Sequence, residues 1–225
     1  MSQLIISCEH GGNIIPKKYH DLFKGADEVL NSHRGWDPGA LKLAKSLHDN
    51  LKAPLFYSTT SRLLIELNRS LHHPSLFSSY TTLLKSKIKE EIVHGHYLPY
   101  RNEVEEQIKN MSRNGRFVIH LSIHSFTPVL NETVRNCEIG LLYDPGRKTE
   151  KVFCTSWKKN LSKVTPNWRV RMNYPYKGTA DGFTTYLRKK FKDGYAGIEL
   201  EVNQALFLKD QEQVENKILK SLELL

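Results

Sequence analysis

One continuous run of mostly apolar residues, Phe117 to Ile123, constrains the fold of this chain more than any other feature. Within the run, Val, Ile and Leu are interrupted only by His120 and Ser122. Strands with one solvated face alternate apolar and polar residues, whereas a run of this kind is typical of a central strand that helices cover on both faces. The run therefore predicts a sheet with helices on both sides.

Strand-like and helix-like segments alternate along the rest of the chain. The predicted strands are Leu4–Ser7, Pro54–Ser58, Leu63–Leu67, Phe117–Ile123, Glu138–Tyr143 and Tyr195–Val202. The predicted helices cover residues 37–52, 79–92, 98–113, 151–161, 181–191 and 210–225. This alternation predicts a three-layer α/β/α fold with a mostly parallel or mixed sheet. No repeat and no linker rich in Pro, Gly or Ser divides residues 1–225, so we expect a single domain.

The charge and the cysteines limit the possible partners and the location. The net charge is +9, but the basic residues are scattered and form no zinc-finger spacing or basic tail, so we expect no nucleic-acid partner. A basic site suited to a dicarboxylate substrate would explain part of the excess charge equally well. Residues 1–7 predict a strand and not a signal peptide, and no apolar run approaches the roughly 20 residues that span a bilayer. Cys8, Cys137 and Cys154 form no disulfide framework, so we expect a cytoplasmic protein.

Three segments contain residues suited to bind a metal ion. His10 follows the first strand and precedes two glycines, which leave room beside its imidazole. Asp37 stands where a helix is predicted to start, so it is either the helix N-cap or a rigidly held carboxylate ligand. His120 and His124 are an even number of residues apart, so in a strand they face the same side. The structural alternatives are a surface turn, a cap and a buried core histidine.

Two further segments supply charged residues at predicted strand ends. Arg62 and Arg69 flank an apolar stretch, and an arginine with an adjacent amide suits bidentate capture of a carboxylate. The structural alternative is a salt bridge from either arginine to Glu66. Glu199 and Glu201 lie two residues apart and face one side of a strand. Burying two carboxylates together raises a pKa and implies a function or cationic partners, unless the strand is an exposed edge.

Together, these segments resemble the N-formylglutamate amidohydrolase family. The matching stretches are residues 8–16, 36–40, 61–69, 124–128, 173–178 and 201–207, which span nearly the whole chain in the family's order. The family is similar to zinc carboxypeptidases and to aspartoacylase-like deacylases. The resemblance implies a phosphorylase/hydrolase-like fold, in which a mixed sheet lies between layers of helices.

The same resemblance implies a set of zinc ligands. His10 and His124 are the two histidine ligands that it indicates. The related deacylases take a carboxylate ligand from a His-x-x-Glu pattern, which is broken here because Asn13 stands at the glutamate position. Asp37 is the expected third ligand, with Glu9 as the alternative.

The resemblance also implies the catalytic and substrate-binding residues. Glu201 is the expected general base, supported by Glu199. The expected substrate-binding residues are Arg69 and Asn68 at the α-carboxylate, Arg62 beside the pocket or the oxyanion, and Tyr176 closing over the substrate. The chain differs from many family members at Asn203, where Arg is frequent, and at Glu66, where Asp is frequent.

The sequence thus predicts a zinc-dependent amidohydrolase that cleaves N-formyl-L-glutamate or a related N-acyl amino acid, a reaction that the family name links to histidine degradation. One alternative is a small zinc carboxypeptidase or cell-wall peptide amidase on the same scaffold. The other is a non-catalytic basic binding module, in which the histidines and glutamates serve only the fold. The oligomeric state stays open.

Overall fold

A six-stranded mixed sheet forms the centre of the computed structural model, which describes residues 3–225. Its strands are β1 (Gln3–Cys8), β2 (Leu55–Tyr57), β3 (Val118–Phe126), β6 (Ile139–Leu142), β7 (Val170–Met172) and β8 (Tyr195–Asn203). Two further short strands, β4 (Val129–Leu130) and β5 (Thr133–Val134), form a separate antiparallel hairpin. Met1 and Ser2, at the start of the segment predicted as the first strand, lie outside the described residues.

The strand order across the sheet is β2-β1-β3-β8-β6-β7. Strands β2, β1, β3 and β8 run parallel, whereas β6 is antiparallel to β8 and parallel to β7. The two central strands, β3 and β8, pair over their whole length, and His124 lies directly beside Glu201 in that register. Both strands are buried nearly throughout, as expected for strands covered on two faces.

Residues 3–225 form seven α-helices, six of which cover the two faces of the sheet. They are α1 (Asp27–Asn31), α2 (Ala40–Leu51), α3 (Ser86–Ile92), α4 (Leu98–Ser112), α5 (Lys148–Val164), α6 (Phe183–Lys190) and α7 (Gln204–Glu223). One hydrophobic cluster joins α2, α5 and α7 to the face that carries Ile6 and Leu121. A second cluster joins α3, α4 and α6 to the face that carries Ile5 and Val118. Successive strand residues thus point into different clusters, which gives the three-layer α/β/α arrangement that the sequence predicts.

Most of the predicted elements are present, with shifted ends. The predicted helix 79–92 is shorter than expected, because only Ser86–Ile92 is α-helical and the preceding residues form turns. A five-residue π-helical segment, Val93–Tyr97, joins α3 to α4. The closing helix starts six residues earlier than predicted, at Gln204, and is kinked at Asp210. Strand β7 was not predicted, because three residues with an exposed centre carry little apolar signal.

The prediction of a strand at Leu63–Leu67 is wrong. This stretch is a series of turns, although its apolar side chains are buried in the second hydrophobic cluster. Ser61 closes the first turn, since its backbone carbonyl accepts from Leu64 N at 2.9 Å and its hydroxyl oxygen accepts from Leu63 N at 3.2 Å. Hydrogen bonds within the turns therefore satisfy backbone N–H and C=O groups that, in a strand, would bond to a neighbouring strand.

Two further sequence predictions concern the membrane and the cysteines. Within residues 3–225, no helix has both the length and the apolar character needed to cross a membrane. Cys8, Cys137 and Cys154 are all buried and free, as expected. Burial raises the pKa of the Cys8 thiol well above its ordinary value, which favours a structural role for this residue.

Candidate metal centre

The candidate site lies where the parallel strands end. His10 follows the end of β1, His124 lies near the end of β3, and Glu201 lies at the matching level of β8. In open α/β sheets, ligands bind in the crevice outside the carboxyl ends of the strands. The alternation of strands and helices therefore brings together side chains that are far apart in the sequence.

Three ligand atoms converge at this point. Asp37 Oδ2 lies 3.3 Å from His10 Nδ1 and 3.0 Å from His124 Nδ1. All three residues are buried, and their ligand atoms lie within 4.8 Å of one another. Two imidazoles and one carboxylate are a donor set that suits zinc and leaves a coordination position for water or substrate.

The partners at Nε2 of the two histidines place the proton of each neutral imidazole on Nε2, so that each Nδ1 keeps a lone pair for a cation. His10 Nε2 contacts the Glu66 carboxylate, which only accepts, so this nitrogen carries the proton. His124 Nε2 lies 2.8 Å from Ser122 Oγ, whose own hydroxyl donates to Glu9 at 2.7 Å. His124 Nε2 is therefore also the donor. In the neutral imidazoles, both Nδ1 lone pairs then face a carboxylate oxygen, an arrangement that a bound cation completes.

Asp37 is not the cap of the helix that follows it. Helix α2 begins at Ala40, and its N-terminal flanking residue is Gly39, with φ +83° and no side-chain cap. A side chain at that glycine would also meet the ring of Phe207. Asp37 instead donates its backbone N–H to His10 O at 2.9 Å, and its Oδ1 accepts from Arg62 Nη1 at 3.3 Å. The tight turn thus directs the carboxylate towards the two histidines.

Glu9, the alternative ligand from the sequence, lies on the other side of His124. Its Oε2 is 3.2 Å from His124 Nε2, and its Oε1 accepts from the Tyr100 hydroxyl at 2.9 Å. Glu66 holds the corresponding place behind His10 and is itself bonded to Arg62 Nε at 2.8 Å. Each histidine is therefore backed by a carboxylate, and Asp37 is the acid that both Nδ1 atoms face.

The electrostatic environment favours positive charge between these groups. Burial acts to lower the pKa of His124, but hydrogen bonds to Asp37 and Glu9 outweigh it and raise that pKa well above its ordinary value. Burial acts to raise the pKa of Asp37, but His10, His124 and Arg62 together outweigh it and shift that pKa downwards. A field that favours protons on two buried imidazoles also favours a metal cation in their place.

Glu201 differs from the other acids because one of its oxygens has no partner. Oε2 is buried and accepts no hydrogen bond from any residue within 3–225. Burial raises the pKa of this carboxyl to about 8, and the charges of Asp37 and Glu199 act in the same direction. Glu199 is already engaged, since its Oε1 accepts from the Thr184 hydroxyl at 2.6 Å. A buried oxygen without a partner beside a cluster of metal-ligand type is a candidate proton acceptor.

A cavity of about 170 Å³ connects these groups. Eight residues that the sequence predicts for the site line it: His10, Asp37, Arg62, Asn68, Arg69, His124, Tyr176 and Glu201. Arg62 is largely engaged within the protein, by Glu66 and Asp37, so the salt-bridge interpretation of this arginine is correct. Arg69 also lines the cavity and forms no ion pair with a carboxylate in the described chain.

Sequence reasoning missed some residues and included one that lies elsewhere. Lys177 and Asp181 also line the cavity; Lys177 follows Tyr176 directly in a stretch that the family resemblance had marked. His120 shares a strand with His124 but bonds to Ser7 Oγ at 2.7 Å and to the Tyr195 hydroxyl at 2.8 Å. Burial lowers the pKa of His120 to about 4, so it is a neutral core histidine.

The fold and the site define an α/β protein with a candidate metal centre at the ends of its parallel strands. The profile described as N-formylglutamate amidohydrolase matches residues 2–208, so the chain belongs to that family of hydrolases acting on amide bonds. It is similar to a gene product of Agrobacterium tumefaciens, with 28% identity and a TM-score of 0.79 over 98% of this chain and 90% of that one. No curated protein matches the chain.

A second solved structure shares the fold. The N-formylglutamate amidohydrolase from Ralstonia eutropha JMP134 is 17% identical, with a TM-score of 0.70 over 98% of this chain and 92% of that one. At this identity the similarity concerns the architecture alone. The predicted three-layer mixed-sheet fold is confirmed.

Proposed function

We propose that this protein hydrolyses N-formyl-L-glutamate, or a closely related N-acyl amino acid, with a divalent ion such as zinc held by His10, Asp37 and His124. The observation that carries the proposal is the convergence of two Nδ1 atoms on Asp37 Oδ2, beside the unpartnered oxygen of Glu201. The family assignment supports the reaction class. It also favours an enzyme over a non-catalytic binding module.

Glu201 is the residue suited to move the proton. A divalent ion, when bound, polarises an amide carbonyl and makes water more acidic. Glu201 takes a proton from the attacking water as the new C–O bond forms, and delivers it to the amine nitrogen as the C–N bond breaks. The products are formate, or another carboxylic acid, and the free amino acid. General acid–base help of this kind contributes about 10²-fold to 10⁴-fold.

The substrate carboxylates are matched by two cations on the cavity wall. Arg69, beside Asn68, is suited to the α-carboxylate, because its planar guanidinium can bond to both oxygens. Besides Arg69, Lys177 is the other cation on the wall that has no carboxylate partner within the described residues, whereas Arg62 is paired with Glu66 and Asp37. A side-chain carboxylate, as in glutamate, fits beside Lys177.

The loop that carries Lys177 and Tyr176 is fixed at its base. Asn173 Oδ1 accepts from the backbone N–H groups of Tyr143 and Gly178, each at 3.0 Å. Tyr176 is nearly half exposed at the cavity wall, which suits a residue that covers a bound substrate. The loop thus presents one charged and one aromatic side chain from a defined backbone.

A small zinc carboxypeptidase or a cell-wall peptide amidase is the second candidate. Pockets for drug-sized ligands occupy roughly 300–1,000 Å³. The cavity here measures about 170 Å³, which favours a small N-acyl amino acid over a peptide. A cytoplasmic location fits the three free cysteines and stays a prediction.

Turnover measured together with bound metal tests the proposal. Purified protein is assayed for formate release from N-formyl-L-glutamate, beside N-acetyl amino acids and short peptides, and its zinc content is determined. We expect formate release that a chelator abolishes and added zinc restores. Peptide cleavage without formate release would favour the carboxypeptidase, and absence of both turnover and stoichiometric metal would overturn the proposal.

A further inference from the structure

A buried arginine on α4, Arg101, lies beneath the turn that carries Asn68 and Arg69. Its side chain is among the least exposed charged groups, and its Nη1 donates to two backbone carbonyls. The acceptors are Leu67 O at 3.0 Å and Arg69 O at 3.2 Å. One nitrogen therefore bonds to both carbonyls that flank Asn68.

The cost of burying the Arg101 charge is offset by its surroundings, although no carboxylate of the described residues pairs with it. No carboxylate oxygen lies within ion-pair distance of its guanidinium in the described part of the chain. Three aromatic rings surround it instead, with its Cζ 4.1 Å from the ring centre of Phe183, 4.6 Å from that of Tyr186 and 4.8 Å from that of Tyr97. A buried cation is costly unless its charge and donors are satisfied, so this side chain is held in one place.

A second side chain from the same helical region supports the turn. The Tyr97 hydroxyl donates to Arg69 O at 2.7 Å, and Tyr97 lies four residues before Arg101, on the same helix face. On the other side of the turn, Asn68 Oδ1 accepts from Phe183 N at 2.7 Å. The backbone of the turn is therefore fixed from below, while the side chains of Asn68 and Arg69 line the cavity.

We propose that Arg101 is a positioning residue, which sets the Asn68–Arg69 turn in the conformation that holds the α-carboxylate of the substrate. This inference rests on the proposed function. Arg101 touches neither the substrate nor the metal ligands; it acts through two carbonyls. Its loss should therefore weaken recognition of the α-carboxylate and leave the chemistry at the amide intact.

A pair of substrates separates this role from general support of the fold. N-formyl-L-glutamate carries the α-carboxylate, whereas 4-formamidobutanoate has the same amide and distal carboxylate without it. In Arg101→Met we expect kcat/KM for N-formyl-L-glutamate to fall by about tenfold or more, mainly through KM, because a charged hydrogen-bond donor is lost. The value for 4-formamidobutanoate should stay unchanged. Arg101→Lys should restore part of the loss, since an ammonium can bond to both carbonyls.

Three comparisons decide the result. Arg113→Gln is the control, because Arg113 is an exposed cation just beyond the same helix. It should leave kcat/KM unchanged for both substrates. An equal fall for both substrates in Arg101→Met would show a structural role only and overturn the inference, as would no change in either. Calorimetric binding of L-glutamate against 4-aminobutanoate tests the turn without turnover, and Arg101→Met should weaken only the former. Absence of turnover in the unaltered protein would overturn the proposed function, while this binding comparison still decides the role of Arg101.

Discussion

Asp37 Oδ2 lies 3.0 Å from His124 Nδ1, although 87 residues separate the two in the sequence. His124 belongs to the central strand β3, whereas Asp37 precedes α2, a helix packed against that strand's face. The distance depends on a turn of two further residues, Pro38 and Gly39, before the helix starts. A carboxylate that would otherwise cap the helix is thereby directed into the site.

Replacing His124 tests whether the cluster binds metal. His124→Ala removes one of the two imidazole donors and leaves a site too weak to retain zinc through dialysis. We expect metal content to fall from about one ion per chain to background, with turnover lost to the same extent. Elemental analysis measures this. His72→Ala, at an exposed histidine, is the control. A folded His124→Ala protein with full metal content would refute the ligand assignment.

Glu201→Gln should separate metal binding from catalysis. The amide keeps the shape of the side chain but cannot take a proton, so kcat should fall by about a hundredfold or more while zinc content is unchanged. Glu199→Gln is the matched variant, because Glu199 lies in the same strand and already bonds to Thr184. Steady-state kinetics of both proteins decide between the acids. A large loss in Glu199→Gln alone would transfer the base role to Glu199.

The sequence predicted those elements of the fold that a short stretch of residues indicates by itself. The central strands β3 and β8 are long apolar runs, and such runs have few alternatives to a buried strand. Leu63–Leu67 is equally apolar but forms turns, the first of which is closed by hydrogen bonds to Ser61. Apolar content indicates burial, and the partners of the backbone decide between strand and turn.

The sequence predicted the residues that would bind metal or move a proton better than the residues that support them. His10, His124 and Glu201 stand at strand ends, where ligands bind, so position and residue type both indicate a function. The role of Glu66 depends on its contact with His10, which is 56 residues away in the sequence. A local sequence pattern does not indicate a contact between residues so far apart. Arg101 was missed for the same reason, since its partners are carbonyl groups, which any residue supplies.

The carboxylates behind the histidines should control metal affinity. Glu9→Gln removes the negative charge that faces His124 Nε2, and Glu66→Gln does the same at His10. Partners of this kind typically change metal affinity by roughly 10-fold to 100-fold, because they fix the imidazole and increase its basicity. Competition against a chromophoric chelator measures the affinity. Glu106→Gln, at an exposed glutamate, should have no effect. Unchanged affinity in both buried variants would mean that these acids serve the fold alone.

Lys177 should determine the preference for an acidic side chain. It is a cation on the cavity wall without a carboxylate partner in the described chain, whereas Arg62 is bonded to Glu66 and Asp37. Lys177→Gln should lower kcat/KM for N-formyl-L-glutamate by about tenfold and leave that for N-formyl-L-glutamine unchanged, since only the former offers a second carboxylate. The ratio of the two values is the measurement, and Lys189→Gln, at an exposed lysine on α6, is the control. A ratio that stays constant in Lys177→Gln would show that another group recognises the side chain.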